Sequence, residues 1–167
     1  MKKFKLRTLD VRKTYGSVVA LEAASIEMNE GEFLTLLGPS GSGKTTLLMA
    51  IAGINNPDSG EIWIDGKLAT YLPPFKRDLG MVFQNYALFP HMTIFDNIAF
   101  PLLMRKMDKT LIRKEIARVL EIVELDYVAK RFPRELSGGQ QQRIALARCI
   151  VYKPSIILMD EPLGALD

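Results

Sequence analysis

Gly38-Pro39-Ser40-Gly41-Ser42-Gly43-Lys44-Thr45 is the stretch on which the reading of this chain turns. A nearly continuous apolar run, Phe33 to Leu37, precedes it, and a helical-looking run, Thr46 to Ala52, follows. Strand, glycine-rich loop and helix together are the setting of a phosphate-binding loop. The three glycines let the backbone bend around a ligand, because glycine takes positive φ at little cost. N–H groups then point inward, and the start of the helix adds partial positive charge. Gly38 to Thr46 form the cradle, Lys44 reaches the β- and γ-phosphates, and the Thr45 hydroxyl ligates magnesium.

Outward from the loop, the apolar run Phe33 to Leu37 is expected to be a buried parallel strand. Gly53 is placed to end the helix. Upstream, Phe4 to Thr14 and Val18 to Met28 read as strands around a turn at Tyr15-Gly16. Downstream, Glu61 to Lys67 alternates and then turns, as a hairpin strand does. Leu79 to Phe83 is a further short apolar strand that ends in Gln84. From Pro90 the texture becomes helical: Ile112, Ile116, Val119, Leu120 and Val123 share one face. Ser137-Gly138-Gly139 opens another helix, and Ser155 to Met159 is a last apolar strand with Asp160-Glu161 at its end. This pattern predicts an α/β fold, with antiparallel strands first and a helical block inserted between core strands.

In open α/β sheets ligands bind beyond the carboxyl ends of the strands. Gly38 onward, Gln84 and Asp160-Glu161 all lie at such ends. Asp160 is placed to hold magnesium. Glu161 can orient and polarise a water in line with a γ-phosphate. Gln84 can reach both metal and water as a neutral ligand. Leu136-Ser137-Gly138-Gly139-Gln140 is a second candidate anion site, with Ser137 as N-cap and glycines that expose N–H groups. A second cradle has a use if it serves another subunit of a head-to-tail, two-fold dimer.

The 167 residues suit one domain with an inserted part, and 48% hydrophobic with 25% charged is an ordinary globular composition. A net charge of +3 is weak evidence for nucleic acid or an anionic membrane surface, and a solvated basic face is the favoured reading. The single cysteine, Cys149, excludes a disulfide framework within the chain and reads as a small core residue. The most apolar region, Ala87 to Met104, is broken by Pro90, His91, Asp96 and Pro101 and cannot span a bilayer. The expectation is a cytosolic chain, or one that lies on a membrane through a partner. No internal repeat or low-complexity tract is present.

The ordered set GPSGSGKT, Phe83-Gln84, LSGGQ, IILMDEP and LGALD resembles the nucleotide-binding subunit of an ATP-binding-cassette (ABC) transporter, over essentially the whole chain. The resemblance implies a P-loop NTPase (RecA-like) core at 33–57, 76–89 and 151–167. It also implies an antiparallel β subdomain at 1–32 and 58–75, and a helical subdomain at 90–150 carrying LSGGQ. ATP with Mg2+ is the implied cofactor and ATP hydrolysis coupled to transport the implied activity, with Glu161, Gln84 and Lys44 catalytic. Thr45, Gln84 and Asp160 would hold the metal. Tyr15 would stack on adenine, Ser137 and Gly139 would face the γ-phosphate of a second copy, and Gln140 completes that string.

The segments Phe83 to Thr93 and Glu161 to Asp167 are similar to importers of the spermidine/putrescine, iron, sulfate and maltose type. That implies a place at the cytoplasmic face of the inner membrane, docked on permease subunits and served indirectly by a solute-binding protein. A polyamine is the first solute to consider. Phe89, Pro90, Met92 and Phe95 would offer the permease an exposed apolar groove. Gly164-Ala165-Leu166-Asp167 would touch the partner's phosphate loop. The resemblance places further core strands and a phosphate-contacting histidine beyond Asp167, so the chain is expected to be a piece of a longer protein. Two other readings fit the same motifs: a soluble ABC ATPase acting on DNA or the ribosome, and a nucleotide-binding fragment without activity. The first usually carries long coiled-coil insertions, and no sustained heptads appear here.

Overall fold

A computed structural model describes residues 4–161. The chain forms two compact units, one up to Leu79 and one from Gly80 on.

The first unit is built on a four-stranded antiparallel sheet in the order β2-β1-β3-β4. Its strands are β1 (Leu6–Tyr15), β2 (Val18–Met28), β3 (Ser59–Ile64) and β4 (Lys67–Leu68). The β1–β2 hairpin pairs antiparallel from Leu6 opposite Met28 to Tyr15 opposite Val18, with register shifts between Thr8 and Thr14. The β3–β4 turn is Asp65-Gly66, with φ of 51° and 73°. That left-handed pair matches the twist of an antiparallel ribbon. β1 bulges at Asp10, where φ is 47°. Gly60 lies opposite, and a side chain there would sit 2.5 Å from the Asp10 carbonyl oxygen. Leu6, Val11, Ile62 and Ile64 are buried on the sheet.

Helix α1 (Lys44–Ala52) contacts β2 and buries Leu47, Ala50 and Ile51. Gly53 ends it as expected, in the left-handed region at φ 78° with its N–H on the Ala50 carbonyl. Two carbonyls in the last turn of α1 accept from a group that sequence reasoning did not single out. Arg77 is 3% exposed. Its Nη1 donates to the carbonyls of Ala50 and Ile51, both at 2.8 Å. Nε donates to Leu72 O at 2.7 Å and Nη2 to Thr70 O at 2.9 Å. Burial pushes its pKa down, and the negative end of the helix dipole faces the charge. Arg77→Met takes the guanidinium donors from four carbonyls, of which Ala50 O keeps the Gly53 N–H, and removes that cation. It is expected to cost about 3 kcal/mol, read as a lowered urea midpoint with unchanged slope.

The expected strand Phe33 to Leu37 does not form. The segment carries no ladder, and Phe33 and Leu37 are each 89% exposed. Apolar character is not enough to make a strand, because the backbone N–H and C=O groups also need a neighbouring strand to pair with.

In the second unit β5 (Leu79–Val82) pairs with β6 (Ile156–Met159). The Asp160 N–H extends the contact to Val82 O at 3.0 Å. Three helices follow the expected helical texture: α2 (Ile94–Met104), α3 (Lys109–Ile122) and α4 (Gly138–Ile150). Thr93 and Asp108 cap α2 and α3 through their side chains. The predicted face of α3 is the buried one: Ile112, Ile116, Val119 and Leu120 join Ile98, Leu102, Leu125, Ile144 and Val151 in one core. Cys149 is buried, and burial lifts its thiol to about 12, so it is an inert core residue. Gly80 is required beside it, since a side chain there would overlap the Cys149 sulfur. Among the described residues no helix is long and apolar enough to cross a membrane.

Candidate functional site

The phosphate loop belongs to the first unit. Gly41 and Gly43 adopt φ of 80° and 88°, a backbone that residues with a Cβ rarely take. Gly43 is also hemmed in, because a Cβ there would lie 2.5 Å from the Ala20 carbonyl oxygen of β2. The Ser42 N–H closes a turn on Pro39 O at 3.2 Å. Lys44 opens α1, and its ammonium folds back over the loop. It donates to Gly38 O at 2.7 Å, Pro39 O at 2.8 Å and Ser42 Oγ at 3.2 Å. Gly43 offers no side-chain cap to α1, and no acidic residue lies in its first turn. The helix N–H groups and the lysine therefore face a loop with nothing anionic of its own. That donor set fits a polyphosphate. Thr45 and Thr46 are half-buried in the first turn.

Tyr15 ends β1 in the same unit and is 48% exposed. The Lys13 ammonium lies 5.6 Å from its ring centroid. The Tyr15 hydroxyl accepts from Asn55 Nδ2 at 2.8 Å. Beside it, Asp58 accepts from Lys13 Nζ at 2.9 Å, Thr14 N–H at 2.7 Å and Thr14 Oγ1 at 2.7 Å. The Thr14 hydroxyl, Lys13 and the Thr14 N–H hold the Asp58 carboxyl down at about 2, so it stays charged throughout the neutral range.

The other candidates belong to the second unit. Gln84 and Glu161 are brought together: Gln84 Nε2 donates to Glu161 Oε2 at 2.6 Å. Glu161 is exposed and Asp160 is buried beside it. No group of three His, Cys, Asp or Glu among the described residues forms a ready metal cage. A magnesium ion held here would take its remaining ligands from phosphate oxygens and water, which suits an ion that gives up its hydration shell reluctantly.

The loop after Gln84 is held by two side chains that sequence reasoning did not single out. Arg148 of α4 donates to Tyr86 O at 3.0 Å and Ala87 O at 2.9 Å, two residues with left-handed φ of 59° and 46°. Asn97 is fully buried in α2 and grips the turn at 89–93 by main-chain atoms alone. Its Oδ1 accepts from the Phe89 N–H, and its Nδ2 donates to the carbonyls of Phe89, Met92 and Thr93. The expected apolar groove is correspondingly shallower. Phe89, Met92 and Phe95 are half-buried, and only Pro90 is exposed. The Phe89 ring packs on Phe100 at 5.0 Å, with the Arg148 guanidinium 5.3 Å from its centroid, and Phe95 packs on the helical core.

Ser137 caps α4 through a reciprocal box: Ser137 Oγ accepts from the Gln140 N–H, and Gln140 Oε1 from the Ser137 N–H at 2.9 Å. Gly138 and Gly139 follow on the helix surface. Neither has a positive φ, and a Cβ at either would meet nothing within 4 Å. They are the first two residues of α4, directly after its N-cap. Among the described residues no neighbour crowds either position, so both glycines leave the start of α4 open. Gly164 to Asp167 lie outside the described residues.

Comparison with known proteins agrees with this arrangement. A sequence profile described as "ABC transporter" matches residues 21–164. A trehalose/maltose import ATP-binding protein of Thermococcus litoralis is 51% identical over 97% of this chain and 45% of its own length. A spermidine/putrescine import ATP-binding protein of Nitrosospira multiformis is 54% identical over the same shares. The chain thus spans about half the length of the curated relatives it matches. Among solved structures, a dimeric bacterial ABC transporter cassette superposes with a TM-score of 0.88 at 38% identity, covering 97% of this chain and 76% of that one. The same cassette has been solved with ADP and Pi in a post-hydrolysis state. A cassette of a Clostridium perfringens ABC transporter complex superposes with a TM-score of 0.87 at 28% identity, covering 99% of this chain and 68% of that one. With a family profile over most of its length and relatives at half identity or more, the chain belongs to the ABC transporter family.

Proposed function

We propose that this chain carries the ATP-binding and ATP-hydrolysing part of an importer's motor, acting with Mg2+. The observation that carries the reading is the 2.6 Å bond from Gln84 to Glu161. It fixes an exposed carboxylate, able to polarise water, on the residue that begins the loop held by Arg148 and Asn97. In this reading Gly38 to Thr46 and Lys44 take the phosphates. Tyr15 takes the base. Thr45, Gln84 and Asp160 take the metal, and Glu161 activates the water. The groups 33–57, 76–89 and 151–167 act as the catalytic core, 90–150 as the helical arm, and 1–32 with 58–75 as the β arm.

Two copies close head to tail over two nucleotides, each offering Ser137, Gly138, Gly139 and Gln140 to the other. The open space around Gly138 and Gly139 among the described residues supports that role. The dimer drives paired permease subunits at the inner face of the membrane, fed by a solute-binding protein. The similar importers are named for sugars and for polyamines at nearly equal identity. A polyamine remains the first solute to test, and nucleic acid is not a partner in this reading.

Light scattering of the Glu161→Gln chain with and without Mg-ATP tests the closure. Parent sequence at position 137 is expected to shift from monomer to dimer. Ser137→Arg is expected to bind ATP as a monomer with unchanged affinity and to stay monomeric. Weakened monomer binding would mean that the helix start serves its own nucleotide.

A further inference from the structure

Tyr15 is not held by its own strand alone. The loop that leaves α1 is tied to the end of β1 at two points, Asn55 and Asp58. On the α1 side, the Asn55 N–H donates to Met49 O at 3.3 Å, so Asn55 is an extension of the helix that begins at Lys44. Its side-chain amide then reaches across to the Tyr15 hydroxyl at 2.8 Å and touches Met49 Sδ at 3.6 Å. On the strand side, the Asp58 N–H donates to Arg12 O at 2.8 Å, and its carboxylate takes the Lys13 ammonium and both Thr14 donors. Pro57 is buried between the two ties. The Lys13 ammonium, 5.6 Å from the ring centroid, is itself fixed by Asp58 at 2.9 Å.

We infer that Asn55 is a positioning residue for the nucleotide base: through the Tyr15 hydroxyl it locks the ring in register with the phosphate-loop helix. The inference rests on the proposed role of Tyr15 as the stacking partner of the base. A flat ring needs no hydroxyl to stack, since every base has a face and any aromatic side chain offers one. The hydroxyl therefore has a separate task here. Without the tether, the exposed ring at the strand end must give up its rotamer freedom when a nucleotide arrives. With it, that ordering is already done, and the same helix that presents Lys44 at its start carries the ring's anchor just past its end.

The test measures binding of Mg-ATP and of inorganic tripolyphosphate to the same set of chains. The set is the parent, Tyr15→Phe, Asn55→Ala, the double variant and Tyr15→Ala. Tyr15→Phe keeps the ring and loses only the tether. It is expected to weaken Mg-ATP about three- to tenfold, the scale of immobilising one side chain. Asn55→Ala is expected to match it, and the double variant to be no weaker than either single one. Tripolyphosphate, which has no base, is expected to bind all five chains alike. A merely structural role for Asn55 would weaken both ligands together. If Tyr15→Ala weakens Mg-ATP while Tyr15→Phe and Asn55→Ala bind like the parent, stacking stands and the tether is overturned. If Tyr15→Ala itself binds Mg-ATP like the parent, the stacking role falls, and the tether with it.

Discussion

Lys44→Ala is expected to weaken Mg-ATP binding by roughly a hundredfold or more while leaving the fold in place. The ammonium donates to two carbonyls and one hydroxyl of its own loop, Gly38 O, Pro39 O and Ser42 Oγ. Those partners are neutral, so phosphate oxygens replace them at a gain. Charge-assisted bonds contribute about 1.5–3 kcal/mol each, and two of them account for a hundredfold or more in affinity. Alanine is the best helix former, so α1 retains its first turn. The loop also keeps its shape through Gly41, Gly43 and the Ser42–Pro39 turn, none of which involves the lysine side chain. Fluorescence titration with nucleotide, alongside thermal melts of both chains, checks this. Binding within threefold of the parent would remove Lys44 from the phosphate site.

Glu161→Gln is expected to do the opposite: nucleotide binding survives and turnover falls by about a hundred- to ten-thousandfold, the range for losing a general base. Glutamine has the same length and nearly the same shape as glutamate. It cannot take a proton from water, and it sets an amide where Gln84 Nε2 now meets a carboxylate at 2.6 Å. Phosphate release, measured on a form of the protein that turns over Mg-ATP, reads the loss. Hydrolysis at the parent rate would mean that another group activates the water.

The difference between what could be read from residues alone and what could not has a physical cause. The glycine turn before Lys44 and the start of α1 are legible because glycine spacing and a helix start are local. Ser137 is legible for the same reason, as a capping serine followed three residues later by a glutamine. Strand ends could be placed from turn residues, which put Gln84 and Glu161 at comparable positions. Their hydrogen bond spans 77 residues and has no local signature.

Arg77, Asn97 and Arg148 escaped for a related reason. Arginines and asparagines are commonly surface residues, and these three instead spend their donors on main-chain carbonyls 4 to 62 residues away. Phe33 to Leu37 erred the other way. Its composition suits a buried strand, but pairing is a property of two segments, and only one of them was being read.

The grip of Asn97 has a consequence for how such a protein can change over generations. It holds the turn at 89–93 through backbone atoms only, the Phe89 N–H and the carbonyls of Phe89, Met92 and Thr93. The path of that turn is thus indifferent to which side chains it displays at Pro90 and His91, both of which are exposed. Surface identity can drift there while the shape beneath it is kept, so a lineage can change what the turn displays without first redesigning its fold.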